Sequence, residues 1–307
     1  MSFSTQTSSR PLPSVSVPRK KKLHATRAWT GVLFALPVVA FELMLLILPI
    51  LQTFYYSFTS WNGITSSFIG FQGYVSLLTN PTFWRILENN AALLLSIPIA
   101  IILPLTVAFI LEQRPWGWNF FRSAFYLPTV ISWVVIGMVA VLFFARHGIL
   151  NHVLALFGTQ QNMLGHPISA MISVIITFIW SVFGINMVIF IGGMATLPRE
   201  LYEAARVDGA YGWQILWHVT IPLLKRFIQF AFILTLITAF TALFSLIFVM
   251  TGGGPGFGTT TLEFFVYEQA FNVGQFGYAA TLGVFLFLVM FASMLFQIRL
   301  LLSGDDN

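Results

Sequence analysis

The chain has 307 residues, of which 57% are hydrophobic and only 8% charged, with 33 Phe and no Cys. A water-soluble domain keeps roughly 25–35% of its surface charged, so this composition excludes one and reads as a membrane-embedded protein. The formal net charge of +5 comes without a folded basic domain, which excludes nucleic acid as a partner and points to topology signals and contact with anionic lipid.

Residues 1–28 are rich in Ser, Pro and Lys and carry little apolar content before Trp29, so they predict a disordered basic tail. They do not read as a cleavable signal peptide, because the apolar run that follows is too long for one and lacks a clear small-residue cleavage site. Six apolar stretches come next, at Gly31 to Phe54, Ala91 to Leu111, Ala124 to Phe144, Ile168 to Ile191, Phe227 to Met250 and Phe276 to Leu300. Each holds the roughly 20 residues that cross about 30 Å of hydrocarbon. Backbone amides in lipid must pair within their own segment, so these are helices and not open strands. The predicted fold is an all-α membrane protein with six transmembrane helices over 29–302 and a short C-terminal tail over 303–307. Of the 15 Lys and Arg, only Arg85 and Arg146 fall in connections that an inside N-terminus places outside. Both termini and the 194–225 connection are therefore expected to be cytoplasmic.

Little chemistry is visible inside the spans. Glu42 lies midway between the interfacial anchors Trp29 and Tyr55, and a charge there costs about 3 kcal/mol. It is either part of an ion or proton relay or a protonated carboxyl bonded to a neighbouring helix. The second is favoured, because no other intramembrane acid or base continues a relay. His24, His147, His152, His166 and His218 form no i, i+4 pair or cluster with carboxylates, so no metal site is expected. Neither a Gly-x-Ser-x-Gly motif nor an intramembrane pair of carboxylates occurs, so no catalytic residue is expected. With no Cys, disulfides and thiol chemistry are unavailable to the fold.

The connection after the fourth stretch is different in kind. Pro198 suits the first turn of a helix, and Glu200 and Glu203 lie near its positive end. Leu201, Ala204, Ala205 and Asp208 share one narrow face, small enough for close approach of a partner groove, and Gly209 can end the helix left-handed. A second short segment, Trp213 to Val219, runs into Pro222. From these residues alone, a docking element and an amphipathic helix lying on the membrane surface stand about level.

In the fifth stretch Thr235, Thr238, Thr241 and Ser245 fall within a sector about 120° wide at helical spacing, with Phe240, Phe244 and Phe248 on the adjoining face. The stripe fits a path for a polyhydroxylated substrate, or hydroxyls satisfied on their own helix and between helices. Asn186, in the fourth stretch, is a weaker path candidate that reads rather as a packing residue between helices, and Gly192 and Gly193, just past that stretch, read as close helix-packing positions. The run Thr251 to Thr261, TGGGPGFGTTT, could cradle an anion with successive amides. Thr259 rather than Lys follows Gly258, however, so the run is expected to be a tight irregular connection through Gly253, Gly254 and Pro255. Trp61, Tyr74, Trp84, Glu263 and Glu268 read as residues of outer loops or of the membrane interface.

EAARVDGA followed by HVTIPLL, from Glu203 to Leu224, resembles the cytoplasmic EAA loop of membrane subunits in binding-protein-dependent ABC importers. FIGFQGYVSLLTNPTFWRILENN (68–90), FRSAFYLPTVIS (121–132), GILN (148–151), LPRELYEAARVDGA (197–210) and MTGGGP (250–255) resemble, in the same order, the sugar-permease branch related to maltose and glycerol-phosphate importers. The resemblance implies a type I ABC importer permease fold in a bacterial or archaeal cytoplasmic membrane. It implies that Glu203, Ala204, Ala205, Asp208 and Gly209 seat in a cleft of a dimer of cytoplasmic ATPases. Those subunits, not this chain, would hold ATP and Mg. It further implies a second permease subunit, expected to be a different chain, and an extracytoplasmic sugar-binding protein. The substrate path would involve Thr235, Thr238, Thr241, Phe244 and Ser245; Ser245 departs from the acid or amide that relatives often carry there. Two alternatives remain. An ion-coupled secondary transporter would show intramembrane titratable groups and inverted repeats, and only Glu42 answers to that. A non-transport scaffold would need neither the polar stripe nor the docking loop.

Overall fold

The computed structural model describes residues 25–159 and 161–302, so most of the expected N-terminal tail (1–24) and the tail at 303–307 lie outside the described residues. The chain divides at Leu51 into two units. The first contains α1 (Ala25–Glu42), a π-turn at Leu43–Ile47 and the start of α2 (Leu48–Tyr56). Helix begins at Ala25, within the last four residues of the expected tail. No residue from 33 to 51 is buried, and Leu33–Tyr56 forms an apolar stretch of 24 residues. Within this first unit Glu42 is exposed.

The second unit continues with α3 (Gln72–Thr79), α4 (Pro81–Glu112), α5 (Trp118–Tyr126), α6 (Trp133–Phe144), α7 (Ile149–Ala155) and α8 (Pro167–Met194). The short α9 (Arg199–Val207) follows, then α10 (Gly212–Ile215) and α11 (Ile221–Leu223), which are joined by a π-turn at Leu216–Thr220. The chain ends in α12 (Lys225–Thr241), α13 (Leu243–Met250), α14 (Leu262–Tyr267) and α15 (Phe276–Leu302).

Local chemistry sets these boundaries. Pro81 opens α4, and Asn80 Oδ1 accepts from Thr82 N at 2.9 Å, satisfying one of the free amides of the first turn. Pro104 inside α4 has no N–H to give the carbonyl four residues back, that of Ala100. Asn186 Nδ2 of α8 supplies the missing donor at 2.9 Å and also bonds Thr235 Oγ1 of α12 at 3.0 Å. Asn186 is fully buried, so it joins three helices as the sequence reading expects. Around this bridge Leu93, Ile97 and Ile101 of α4, Phe178, Met187 and Phe190 of α8, and Phe240 of α12 form one buried cluster. In hydrocarbon such packing, rather than exclusion of water, holds helices together. Small residues allow the closest crossings: a Cβ at Gly184 would lie 2.7 Å from Phe125 O, and one at Gly193 would lie 2.7 Å from the Phe227 ring. Gly192 faces open space instead, so only one of that pair is a close-packing position.

Two expected spans are corrected. The third, Ala124 to Phe144, is not one helix. Pro128 falls in a 3-10 turn at Leu127–Val130, Ile131 is extended, and Ser132 Oγ caps a new helix at Val135 N, 3.4 Å away. The spanning stretch is Trp133–Ala155. The fifth, Phe227 to Met250, begins earlier and lapses at Ala242, between α12 and α13. Thr238 and Thr241 each donate their hydroxyl to the carbonyl four residues back, at 2.7 and 2.9 Å, a competing bond that bends helices. Five described helices are long and apolar enough to cross a membrane, and a sixth arises if Gly212–Leu223 and Lys225–Thr241, bent by 77°, count as one.

The second unit has two distinct ends. At one, the start of α4 bonds the 251–261 loop through Asn89, a Cβ at Gly258 would touch Pro167 at the start of α8, and Gly277 N at the start of α15 donates to Trp61 O. At the other, the end of α8 packs on Leu224 and Phe227, which carries α9, α10 and α11 away from the first end.

Candidate functional site

Pro198 is extended and sits just before α9 as its cap position, so the helix starts at Arg199 and not at Pro198. Glu200 lies in the first turn and Arg206 in the last, both favourable to the helix dipole. Gly209 takes φ +82°, and the amides of Asp208, Gly209 and Ala210 close onto Ala204 O, Arg206 O and Ala205 O at 2.9–3.1 Å. A left-handed glycine therefore ends the helix where the sequence places it. Leu201, Glu203, Ala204, Val207, Asp208 and Gly209 are exposed, whereas Ala205 and Tyr202 are half-buried. Thr220 Oγ1 donates to Tyr202 Oη at 3.4 Å, tying α9 to the π-turn behind it. The result is an open knob on which Glu203, Ala204, Asp208 and Gly209 are exposed, while the fifth singled-out residue, Ala205, is half-buried.

The segment after α9 has another character. Trp213 and Trp217 are exposed and meet edge to face, with ring centroids 5.7 Å apart. This run crosses the direction of α12 at 77°, the geometry of a membrane-surface element with aromatic anchors.

The polar stripe of the fifth stretch is graded. Thr235 is buried against Asn186, Thr238 and Ser245 are half-buried, and Thr241 is exposed. The structure thus does not bring Thr235 into one open surface with the rest. Phe244 and Phe248 of α13 instead face Phe264 and Tyr267 of α14, with centroid separations of 5.2–6.4 Å, and Phe271 adds to Tyr267 at 5.4 Å. Sequence reasoning missed the α14 half of this aromatic wall. Its signal was the spacing Phe264, Tyr267, Phe271, which puts the three rings on one helical face.

The glycine-rich loop is a closed, self-bonded turn. Gly253 takes φ +80°, the Gly254–Pro255 bond is cis, and Thr259, Thr260 and Thr261 are buried. Thr260 Oγ1 donates to Gly253 O and Thr259 Oγ1 to Gly254 O, both at 2.9 Å. Asn89 Nδ2 donates to Phe257 O and Thr260 O at 2.7 and 2.9 Å, and Leu262 N donates to Asn90 Oδ1 at 2.9 Å. Inward carbonyls met by hydroxyls and amides leave no cradle for an anion. This Asn89–Asn90 pair was also missed, though two adjacent amides at the edge of an apolar run were the visible signal.

Beyond the loop, both Glu263 carboxylate oxygens and Thr261 Oγ1 are shut from solvent without a hydrogen-bond partner. Burial pushes the Glu263 carboxyl up to about 7, outweighing the opposing effects of its own amide and of the Thr261 and Asn90 side chains. Burial also raises Glu268. Trp61 stacks on Tyr56 at 4.1 Å, Tyr74 Oη bonds Ser57 Oγ at 2.8 Å, and Trp84 Nε1 donates to Leu78 O at 2.8 Å. Among the described residues no three His, Asp or Glu converge as metal ligands.

Residues 80–301 match the family described as the inner membrane component of binding-protein-dependent transport systems. The chain is 34% identical over 285 residues to the probable ABC transporter permease protein YurN of Bacillus subtilis (strain 168), covering 90% of this chain and 97% of that one. It is 31% identical to the multiple sugar-binding transport system permease protein MsmF of Streptococcus mutans, covering 92% and 97%. Against the trehalose/maltose transport system permease protein MalF of Thermococcus litoralis the figures are 29%, 88% and 92%. Among solved structures it resembles a chain of a bacterial ABC transporter involved in import of the acidic polysaccharide alginate, with a TM-score of 0.78 at 22% identity over 90% of this chain and 96% of that one. The fold described above is therefore that of an importer's membrane subunit, and the chain belongs to the family of inner membrane components of binding-protein-dependent transport systems, a multi-pass membrane protein.

Proposed function

We propose that this chain is a permease subunit of an ATP-driven ABC importer for a sugar or related carbohydrate, coupled to partner ATPases through α9. The observation that carries the reading is the exposed helix from Arg199 to Val207, sealed at Gly209 and standing at the end of the bundle away from the glycine-rich loop. A partner groove can engage Glu203, Ala204, Asp208 and Gly209 without rearranging the core, and Tyr202 connects that surface to the Leu216–Thr220 turn. Closure of the ATPases would push α9, and packed helices would rock as rigid bodies. In this orientation α9 and both termini are cytoplasmic, a reading supported by the Lys and Arg distribution, and ATP and Mg belong to the ATPase chains.

The sugar assignment is supported by the relatives, which include multiple-sugar and trehalose/maltose transport system permeases. The path lies along α12 and α13, with Thr238, Thr241 and Ser245 as hydroxyl partners and the Phe244 wall as an apolar lining. Thr235 acts there by holding Asn186. The glycine-rich loop through Gly253, Gly254 and Pro255 faces outward and braces the α14 wall. A second permease subunit of different sequence completes the path, and a solute-binding protein delivers the sugar outside. An ion-coupled transporter is disfavoured, since Glu42 is the one titratable residue that the sequence places well inside a predicted span. The test is reconstitution of the chain with its second permease, ATPases and binding protein in proteoliposomes. Uptake that requires ATP and the binding protein supports the reading; uptake driven by a proton gradient without ATP overturns it.

A further inference from the structure

A polar cleft of about 550 Å³ opens at the α4-start end of the second unit, between the 59–62 turn, α3 and the start of α15. The volume lies within the ~300–1,000 Å³ of small-molecule sites. Its lining includes Asn62, Gln72, Ser76, Asn80, Gln269 and Gln275, and none of its thirteen lining residues is charged. The side chains of Gln72, Ser76, Gln269 and Gln275 make no hydrogen bond to a described residue. The cleft thus presents unused amide and hydroxyl groups. Its walls are fixed. Thr281 Oγ1 donates to Ser57 O at 3.0 Å, Gly277 N donates to Trp61 O at 2.8 Å, and a Cβ at Gly73 would lie 2.8 Å from Thr281 Oγ1. Three segments are locked around a rigid, neutral, hydrogen-bonding recess, which suits a ligand rich in hydroxyls and without charge.

We propose that this cleft is a subsite for a neutral oligosaccharide at the outer mouth of the permease, apart from the path along α12 and α13. The proposal rests on the importer reading and narrows its substrate class to uncharged sugars. An acidic polysaccharide would find no cation here to meet its carboxylates. The test uses the assembled transporter in lipid nanodiscs without its binding protein. Saturation-transfer NMR is recorded with maltotriose, trehalose, lactose and diacetylchitobiose as neutral probes and trigalacturonate as the charged one.

At least one neutral probe binds and trigalacturonate does not. The double variant Gln72→Leu/Gln275→Leu weakens that binding about tenfold, from two lost hydrogen bonds, while its melting midpoint stays at the wild-type value. Gln269→Asp, which sets a carboxylate in the cleft, serves as the second variant and also weakens it. Binding of no neutral probe, or equal binding by both variants, overturns the proposal; if ATP-driven uptake persists, the importer reading stands. Variants that lose capture of the binding protein but keep sugar binding assign the cleft to protein docking and overturn it too. Sugar binding lost in the variants, with no ATP-driven uptake by the wild type, keeps the cleft and removes the importer reading.

Discussion

A proline inside a spanning helix leaves one carbonyl without its donor, and Asn186 provides the replacement for Ala100. Substituting Asn186→Leu orphans that carbonyl and the Thr235 hydroxyl together, so it should destabilise by about 1–3 kcal/mol and lower the melting midpoint in detergent. Thr235→Val, which leaves the Ala100 bond intact, should cost less; equal midpoints for wild type and Asn186→Leu would remove the bridge from the account. Glu263 behaves oppositely. Its folded carboxyl titrates near 7 against an ordinary 4.5, so the unfolded chain ionises first as pH rises. Stability should fall between about pH 4.5 and 7 and then level off, by on the order of 3 kcal/mol. Glu263→Gln should melt at the wild-type midpoint at pH 4 and above it at pH 8; a wild-type profile unchanged by the substitution would show that the carboxyl is solvated. At this scale the sequence marked Asn186 as a packing residue, but its pairing with Pro104 joins positions far apart in the chain and had no local signature. Glu263 read as a loop residue, because burial beneath a folded-back glycine-rich turn is a tertiary fact.

The short helix α9 was legible almost to the residue, since its start at a proline, its acidic first turn and its terminal glycine are all local chemistry. Longer elements were harder. Hydropathy alone merged α5, the Leu127–Val130 turn and α6 into one span, although Pro128 and Ser132 carried the stop and the new cap. The lapse at Ala242 involves neither Pro nor Gly and follows from threonine back-bonding, which composition does not announce. For α9 the account predicts a coupling defect without a folding defect. A Cβ at Gly209 meets nothing within 4 Å, so Gly209→Asp suffers only the strain of a left-handed backbone, about 1–2 kcal/mol, confined to the end of the knob. Membrane insertion should remain intact and ATP hydrolysis by the assembly should continue, while uptake in proteoliposomes falls several-fold. Full uptake by this variant would count against α9 as the coupling element.

For the whole molecule, class and family were readable from six apolar stretches and an ordered set of motifs, whereas the walls of the path were not. The aromatic surface of Phe244, Phe248, Phe264 and Tyr267 joins two elements across the glycine-rich loop, and the graded burial of the threonine stripe depends on how α12 rolls against α4 and α8. Leu33–Tyr56 is an apolar stretch of 24 residues, long enough to cross a membrane. The central claim is that α9 is the surface through which a nucleotide-hydrolysing partner moves this bundle. Because the chain contains no Cys, a single Ala204→Cys substitution gives an unambiguous crosslinking position on α9. In the reconstituted importer, a short thiol-reactive crosslinker at that position should capture the ATPase subunit in a yield that changes with ATP, while one at Ser66→Cys, on the opposite end, should not. Capture at Ser66→Cys but not at Ala204→Cys, or no ATPase captured at either by an assembly that still takes up sugar, would contradict the account.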